Sequence, residues 1–266
     1  MIIDGRSIAE RILQEVSQSL PEGVRPVVRA VALDASPATR SYLRIKAKAA
    51  QAAGMVLEVV ELSPESTTQE VITAIEVPGA HAVIVQLPLP EHIELSSVLA
   101  SIPVEQDADV LSPEGRARFA RTQDNCLIPP VADAVAAILL SADVDPKGKR
   151  TVIVGDGYLV GKPVAEYLRL IGAEVSVYNQ ETFEESVLAG AEIIVSGTGV
   201  SHLIKPFMLS DGVVLIDAGT SEQSGVLKGD IDPACAEIAS VYTPVPGGVG
   251  PVAVACLFKN VSKLLK

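Results

Sequence analysis

The chain has 266 residues, of which 48% are hydrophobic and only 3% aromatic, so aliphatic side chains must build a substantial core. The net charge of −12 argues against a nucleic-acid partner, which requires a basic face, but not against a small anionic ligand. Three cysteines at unrelated spacings predict neither a disulfide framework nor a metal site, and without a transmembrane run or a signal peptide we expect a cytoplasmic protein with no membrane partner.

The first half of the chain alternates predicted helices and strands. Apolar runs at 27–33 and 56–62 indicate strands buried in a sheet, and a third run, 82–90, has its strand stopped by Pro88 and Pro90. The predicted helices that separate or precede these strands are 5–20, 37–54 and 66–76. This alternation predicts an α/β fold with a parallel sheet, in which ligands bind beyond the carboxyl ends of the strands.

The helix at 37–54 brings Tyr42 and Lys46 onto one face, because residues four apart lie about one turn apart. Ser36 is a candidate cap at its start, and Gly54 is a candidate left-handed stop. A solvated lysine beside a half-buried tyrosine is the simpler interpretation of the pair. A flat ring next to a primary amine would also suit a binding site.

Further polar groups follow the predicted strands. Gln86 stands at the carboxyl end of its strand, where it is either a satisfied edge amide or a ligand-binding group. Asp107-Ala-Asp109 forms a short acidic turn, and surface carboxylates are usually only solvated. Pro129-Pro130 opens an apolar helix that continues to Leu140, and the polar segment 143–150 is the candidate domain boundary.

The second half restarts with a strand that runs into Gly155-Asp-Gly157 and then Gly161-Lys-Pro163. Backbone N–H groups at such a turn suit a diphosphate, although this glycine spacing is not the strict dinucleotide fingerprint and is weak alone. The next predicted strands are 174–178, 192–196 and 213–217, with a helix near 183–189, and two of these strands run into Gly197-Thr-Gly199 and Gly219. A buried turn could explain one such glycine end, whereas three together favour a dinucleotide site.

The segment from Tyr242 to Pro251 concentrates proline and glycine between apolar elements. That composition fixes an irregular backbone. A surface linker could look similar, but linkers rarely lie directly between apolar elements. An apolar helix then continues to Leu265.

Several motifs together resemble the bifunctional methylenetetrahydrofolate dehydrogenase/methenyltetrahydrofolate cyclohydrolase family nearly end to end. They are Tyr42-x-x-x-Lys46, Val85-Gln-Leu-Pro-Leu-Pro90, Asp107-Ala-Asp109, Val154-Gly155 with Val160-Gly-Lys-Pro163, and Thr243-Pro-Val-Pro-Gly-Gly-Val-Gly-Pro251. The resemblance implies two α/β domains with a cleft between them, the second of Rossmann type. It places a folate-binding catalytic domain at 1–142, an NAD(P)-binding domain at 143–248, and the helix 249–266 back on the first domain.

The resemblance also implies residue roles in oxidising methylenetetrahydrofolate with NAD(P) and hydrolysing the product to formyltetrahydrofolate. Lys46 would assist proton transfer and water attack, and Gln86 would orient it. Tyr42 would stack along the folate, and Asp109 would accept hydrogen bonds from the pterin. Leu87, Pro88, Gly250 and Pro251 would line the folate site. The implied nucleotide contacts are Gly155, Asp156, Gly157, Val160, Gly161, Lys162, Asn179, Gln180, Gly197, Thr198, Gly199, Gly219 and Thr220. The family further implies no metal and a homodimer through the second domain.

The pterin side keeps its central residues, whereas the nucleotide side departs from the family pattern. Asp156-Gly157 stands for the family's Arg-Ser, and Asn179-Gln180 for its His-Ser. Asp156 would repel a 2′-phosphate yet could accept a hydrogen bond from a free ribose hydroxyl, so we expect NAD in preference to NADP, unless Lys162 compensates or the adenosine end binds differently. The other departures are Gln106, Val110-Leu-Ser112, Leu127-Ile-Pro-Pro130 and Val252-Ala253. Two alternatives stay open: an enzyme that keeps only the cyclohydrolase activity, and a folate- or nucleotide-binding protein without catalysis.

Overall fold

The computed structural model describes residues 1–33, 36–121, 126–223 and 226–265. The helices are α1 Gly5–Ser19, α2 Pro37–Ala52, α3 Thr68–Glu76, α4 Leu95–Ala100, α5 Pro113–Ala120, α6 Pro130–Ser141, α7 Gly161–Leu170 and α8 Val249–Leu264. The strands are β1 Val27–Ala32, β2 Val56–Glu61, β3 Ala82–Val85, β4 Arg150–Val154, β5 Glu174–Tyr178, β6 Ile193–Ser196, β7 Val214–Asp217, β8 Ser221–Gln223, β9 Val226–Lys228 and β10 Val241–Tyr242. Among these residues, no helix combines the length and apolar character needed to cross a membrane.

The chain folds into two compact units. The first, called the β1–β3 unit, comprises Glu10–Pro130 and Val254–Lys266, and the second, called the β4–β10 unit, comprises Met1–Ala9 and Val131–Ala253. The polar segment 143–150, the boundary expected from the sequence, does not lie between the two units. That segment connects α6 to β4 inside the β4–β10 unit. A polar run of this length is as typical of a turn between a helix and a strand as of a domain boundary, so polarity alone does not distinguish the two.

The amino terminus joins the β4–β10 unit through backbone pairing. The Ile3 N–H donates to the Tyr242 carbonyl at 2.9 Å, and the Tyr242 N–H donates to the Met1 carbonyl at 2.9 Å. Residues 1–3 therefore extend the edge formed by β10, although they precede the other unit in sequence. Periodicity alone could not reveal this pairing, since its partners are about 240 residues apart.

The sheet of the β1–β3 unit is parallel, with strand order β2-β1-β3. Every residue of β3 is buried, as expected for a short apolar strand covered on both faces, whereas β2 is a half-exposed edge strand. The helix α2 begins as predicted, with the Ser36 hydroxyl accepting the Thr39 N–H at 3.2 Å, and Gly54 just beyond it has the left-handed φ of +76°. Two short helices, α4 and α5, were not predicted.

The main sheet of the β4–β10 unit is also parallel, with strand order β10-β7-β6-β4-β5. The carboxyl ends of β4, β6 and β7 therefore meet at one edge, as the sequence predicted for the three glycine-rich ends. The helix predicted near 183–189 is wrong: the structure has a single 3-10 turn at Glu185–Leu188. The left-handed Gly190 follows at φ +73°, which leaves too few residues to nucleate an α-helix.

Candidate functional site

The face of α2 that carries Tyr42 and Lys46 belongs to the β1–β3 unit. Leu43 is buried, which fixes the rotation of the helix against its sheet. Tyr42 stays 36% exposed, and Lys46 is half-buried. The unit thus presents an accessible aromatic ring one turn away from an amine that is partly removed from water.

Gln86 connects the Lys46 amine to the end of β3. Its side-chain oxygen accepts a hydrogen bond from Lys46 Nζ at 3.1 Å, and its side-chain nitrogen donates to the Leu87 carbonyl at 3.0 Å. Its backbone N–H donates to Val31 on the neighbouring strand at 2.8 Å, and the Leu87–Pro88 peptide bond that follows is cis. Hydrogen bonds therefore hold both the backbone N–H and the side-chain amide of Gln86, and the side-chain oxygen is directed at Lys46.

The two carboxylates of the acidic turn have different surroundings. Asp107 is 2% exposed, and its two oxygens accept the N–H groups of Leu111 at 2.9 Å and Ser112 at 2.7 Å. The Ser112 hydroxyl in turn accepts the Gly115 N–H at 3.0 Å and caps α5. Asp107 consequently shapes the turn, and Leu111 and Ser112, which differ from the family pattern, serve the same turn. Asp109 keeps a half-buried carboxylate that this network does not use.

Burial shifts the pKa values of Lys46 and Asp109 in opposite directions. Burial lowers the pKa of Lys46, and the charge of Asp109 partly opposes this shift. Burial raises the pKa of Asp109, which the charge of Lys46 opposes and that of Asp107 reinforces. Both shifts favour the neutral forms, so the amine is closer to releasing and accepting a proton near neutral pH than a solvated lysine would be.

Three glycines near the carboxyl end of the main sheet of the β4–β10 unit pack too closely against their neighbours to carry side chains. A Cβ on Gly161 would lie 1.9 Å from the Gly155 carbonyl oxygen, and one on Gly155, whose φ is +102°, would lie 2.7 Å from the Gly197 oxygen. A Cβ on Gly197 would lie 2.4 Å from Val160. Gly157 has nothing within 4 Å of such a Cβ. The loops after β4 and β6 thus touch through their backbones, and Gly157 is not part of that contact.

The start of α7 completes this glycine cluster, which comprises Gly155, Gly161 and Gly197. Val160 occupies the N-cap position and offers no side-chain hydrogen bond to the helix. The Lys162 side chain is exposed, while its N–H donates to the Gly157 carbonyl at 3.1 Å. A helix start without a side-chain cap, beside a backbone-packed glycine loop, fits a diphosphate, because the positive end of the helix dipole favours an anion.

Asp156 and Asn179 meet beside the ends of β4 and β5. The Asn179 amide nitrogen donates to the Asp156 carboxylate at 3.4 Å. The Asn179 side-chain oxygen accepts the N–H groups of Glu181 and Thr182, both at 3.1 Å, which fixes the amide in the turn after β5. Gln180 is exposed. A carboxylate, and no cation, therefore lies at the position where the family pattern has arginine.

The loops after β6 and β7 depend on two buried aspartates that the sequence analysis did not select. The Thr198 N–H and hydroxyl donate to Asp230 at 2.6 and 2.9 Å, and the Gly219 N–H donates to Asp217 at 3.1 Å. The signals that could have found them are an acidic residue closing an apolar strand and a second one in Gly229-Asp230. Of the remaining predicted nucleotide contacts, Gly199 has a φ of +72° and Thr220 is exposed.

Gly250 and Pro251 lie in the first turn of α8, in the part that belongs to the β4–β10 unit. Nothing lies within 4 Å of a Cβ on Gly250. Their place along a folate stays a prediction. The described residues contain no group of three or more His, Cys, Asp or Glu side chains placed to hold a metal ion.

Comparison with known families matches both halves of the chain. Residues 3–109 match the catalytic domain of tetrahydrofolate dehydrogenase/cyclohydrolase, and residues 129–266 match the NAD(P)-binding domain of the same family. The bifunctional protein FolD of Aquifex aeolicus is 34% identical over 280 residues, covering 100% of this chain and 95% of the relative. The bifunctional protein FolD of Staphylococcus aureus is 33% identical over 270 residues, covering 97% of this chain and 94% of the relative.

Solved structures give the same picture. The bifunctional methylenetetrahydrofolate dehydrogenase/cyclohydrolase of Campylobacter jejuni superposes with a TM-score of 0.94 at 30% identity, covering 99% of this chain and 98% of that one. The corresponding enzyme of Trypanosoma brucei, in complex with NADP and an inhibitor, superposes with a TM-score of 0.92 at 33% identity, covering 99% and 96%.

Proposed function

Because this chain belongs to the tetrahydrofolate dehydrogenase/cyclohydrolase family, we propose that Lys46, Gln86 and Asp109 carry its folate chemistry. The protein is a bifunctional enzyme of one-carbon metabolism. It oxidises methylenetetrahydrofolate to methenyltetrahydrofolate with a nicotinamide nucleotide and hydrolyses the product to formyltetrahydrofolate. The observation that supports the residue assignment is the 3.1 Å hydrogen bond between Lys46 and Gln86, beside the charge of Asp109.

Hydrolysis requires both protons to leave the attacking water: one has to reach the ring nitrogen that separates from the one-carbon unit, and the other is released to solvent as the formyl carbonyl forms. The Lys46 amine, with its pKa lowered by burial, accepts the first proton and can return it to the nitrogen. Gln86 keeps the amine at the one-carbon bridge, because its own amide is fixed to the Leu87 carbonyl. Asp109 accepts hydrogen bonds from the pterin, and the exposed ring of Tyr42 stacks along the folate, with Leu87 and Pro88 beside it.

Oxidation places the nucleotide on the glycine cluster. The bound nucleotide supplies the hydride acceptor for the methylene carbon. The glycine cluster and the first turn of α7 hold its diphosphate, since no side chain obstructs a close approach there and the positive end of the helix dipole favours an anion. Thr198, Gly219 and Thr220 contact it from the loops after β6 and β7.

We also propose that NAD is preferred over NADP. The T. brucei relative was solved with NADP. In this chain the Asp156 carboxylate, held by Asn179, occupies the position at which the family offers arginine. A second anion beside it is repelled, whereas a free ribose 2′-hydroxyl can donate to the carboxylate.

The assembly that we propose is a cytoplasmic homodimer formed through the β4–β10 unit. Among the described residues, β5 is an outer strand of the main sheet and pairs with no strand on its far side. The neighbouring apolar side chains of Leu170 and Ile171 are 44% and 37% exposed. An open strand edge with apolar neighbours supports pairing with a second copy, and sedimentation at micromolar concentration measures it.

Purified protein tests the function directly. Methenyl formation is followed by absorbance with NAD or NADP, and methenyl hydrolysis is followed with no nucleotide present. We expect both reactions, with faster oxidation in NAD than in NADP at equal subsaturating concentration. Hydrolysis without oxidation by either nucleotide would identify a cyclohydrolase only, and folate binding without either reaction would identify a binding protein.

A further inference from the structure

Two carboxylates lie inside the β4–β10 unit and are not among the residues assigned to the folate or the nucleotide. Asp217 is the last residue of β7 and is 1% exposed, and Asp230 follows β9 and is fully buried. Burial raises the pKa of Asp217 to about 7, and the nearby charge of Asp230 adds to the rise. Buried carboxylates are costly unless they are hydrogen-bonded, so their partners indicate what they organise.

All three donors to Asp230 come from the end of β6. One of its oxygens, Oδ2, accepts the Ser196 hydroxyl at 2.7 Å, the Thr198 N–H at 2.6 Å and the Thr198 hydroxyl at 2.9 Å. The Thr198 hydroxyl also accepts the Val200 N–H at 3.1 Å, so the loop backbone at Val200 is held through the same side chain. Asp230 therefore fixes both the backbone and the side-chain direction of Thr198.

The same carboxylate fills the space above Gly219. A Cβ on Gly219 would lie 2.1 Å from the Asp230 carboxylate carbon and from each of its oxygens. Gly219 is thus a glycine because Asp230 occupies the place of its side chain. The loop after β6 and the loop after β7 are set against each other through this one carboxylate.

Asp217 fixes the position of Asp230 itself. Its Oδ1 accepts the Asp230 N–H at 3.2 Å and the Gly219 N–H at 3.1 Å, and its Oδ2 accepts the Ile231 N–H at 2.8 Å. The other oxygen of Asp230, Oδ1, is buried and has no hydrogen-bond partner among the described residues. An unpaired carboxylate oxygen in the interior costs stability, so this arrangement calls for a functional reason.

We propose that Asp230 is a positioning residue for the nicotinamide nucleotide, holding Thr198 and Gly219 at the spacing that the bound nucleotide needs. The inference rests on the proposed function, which assigns both residues to nucleotide binding. Asp230 acts through those residues, so its loss weakens nucleotide binding more than turnover. Hydrolysis uses Lys46 and needs no nucleotide, and it serves as an internal reference in the same protein.

The first experiment compares Asp230→Asn with Asp232→Asn in the full-length protein. Asp232 is a matched control, because its carboxylate caps the 3-10 turn Pro233–Glu237 by accepting the Ala234 N–H at 2.9 Å and, among the described residues, makes no hydrogen bond to Thr198 or Gly219. We expect the Kd and the KM for NAD to rise at least about tenfold in Asp230→Asn, with hydrolysis within twofold of wild type. Asp232→Asn should leave both unchanged. An unchanged Kd in Asp230→Asn, or a parallel fall of both activities, would overturn the proposal.

Ser196→Ala supplies a second and milder variant. It removes one donor to Asp230 from a residue that is not itself a predicted nucleotide contact. We expect a two- to fivefold rise in the KM for NAD, no change in hydrolysis, and no further rise when Ser196→Ala is added to Asp230→Asn. If Asp230→Asn does not fold, the KM of Ser196→Ala decides alone, and an unchanged value counts against the proposal. Wild-type protein that binds neither nucleotide refutes the proposed oxidation and this inference together, whereas intact binding in the variants refutes only the inference.

Discussion

The amine site of the β1–β3 unit and the glycine cluster of the β4–β10 unit are built in different ways. The first site is made of side chains. The Lys46 amine donates a hydrogen bond to Gln86, and the charges of Lys46 and Asp109 each affect the pKa of the other group. At the second, contact is made by the backbones of Gly155, Gly161 and Gly197. Side-chain chemistry tolerates no change of residue type, whereas backbone contact requires glycine at a few positions and leaves their neighbours free to vary.

This difference explains where the chain departs from its family. Gly157 has open space around it and replaces a family serine without disturbing the packing of the loops. Asp156 is exposed, so it changes the charge beside these loops while the glycine contacts are kept. The amine site retains its lysine, glutamine and aspartate, although the acidic turn around it is rebuilt with Leu111 and Ser112.

Removing the amine should give the largest effect. We expect Lys46→Met to lower the hydrolysis rate about a hundredfold or more, because general acid–base groups contribute roughly that much. The protein should stay folded, since the side chain is only half-buried. The methenyl hydrolysis assay measures the effect.

Lys48→Met is the matched control for this prediction. Lys48 is exposed on the same helix two residues further on, about 200° around the helix axis, so its loss should leave hydrolysis unchanged. Hydrolysis within about threefold of wild type in Lys46→Met would remove the amine from its catalytic role, and with it the distinction between side-chain and backbone sites.

Adding one methyl group should break the backbone site. In Gly161→Ala the new Cβ would lie 1.9 Å from the Gly155 carbonyl oxygen, so the loop must move. Overpacking of this kind costs about 1–3 kcal/mol, and we expect nucleotide affinity to fall roughly thirtyfold while hydrolysis is retained. Calorimetric titration with NAD measures it. Gly250→Ala is the control for nucleotide affinity, because nothing lies within 4 Å of its Cβ and Gly250 is not a predicted nucleotide contact; equal losses in the two variants would contradict the packing argument.

Asp109→Ala should weaken the binding of folate more than the binding of the nucleotide. A buried ionic hydrogen bond is worth about 1.5–3 kcal/mol, so we expect folate affinity to fall about tenfold or more while nucleotide affinity holds. Calorimetry with a folate substrate analogue and with NAD gives both numbers. A variant that loses affinity for both ligands alike would show that Asp109, like Asp107, mainly shapes the acidic turn.

The sequence predicted the amine site better than the loops of the β4–β10 unit, for a physical reason. Tyr42 and Lys46 are related by helical period and Gln86 by the end of a strand, so local rules place all three. Asp217 and Asp230 lie on either side of the β8–β9 hairpin, which no sequence pattern predicted. They are connected by tertiary hydrogen bonds, which local rules do not reveal. The boundary at 143–150 was drawn from polarity, which marks a connector but does not tell which unit the neighbouring helix packs on.

Nucleotide choice should give the smallest effect, because it depends on one exposed charge. Asp156→Arg removes a carboxylate that repels a 2′-phosphate and supplies a cation that can pair with it, and an exposed ion pair is worth up to about 1 kcal/mol. We expect the ratio of NADP to NAD affinity to rise roughly fivefold or more, with hydrolysis unchanged, by titration of both oxidised nucleotides. Asp211→Arg is the control: Asp211 is equally exposed but precedes β7, at the opposite end of the strand from the glycine loops. Tighter binding of NADP than of NAD by the wild-type protein would show that the carboxylate does not face the ribose. Nucleotide choice would then be set, like the diphosphate site, by backbone groups.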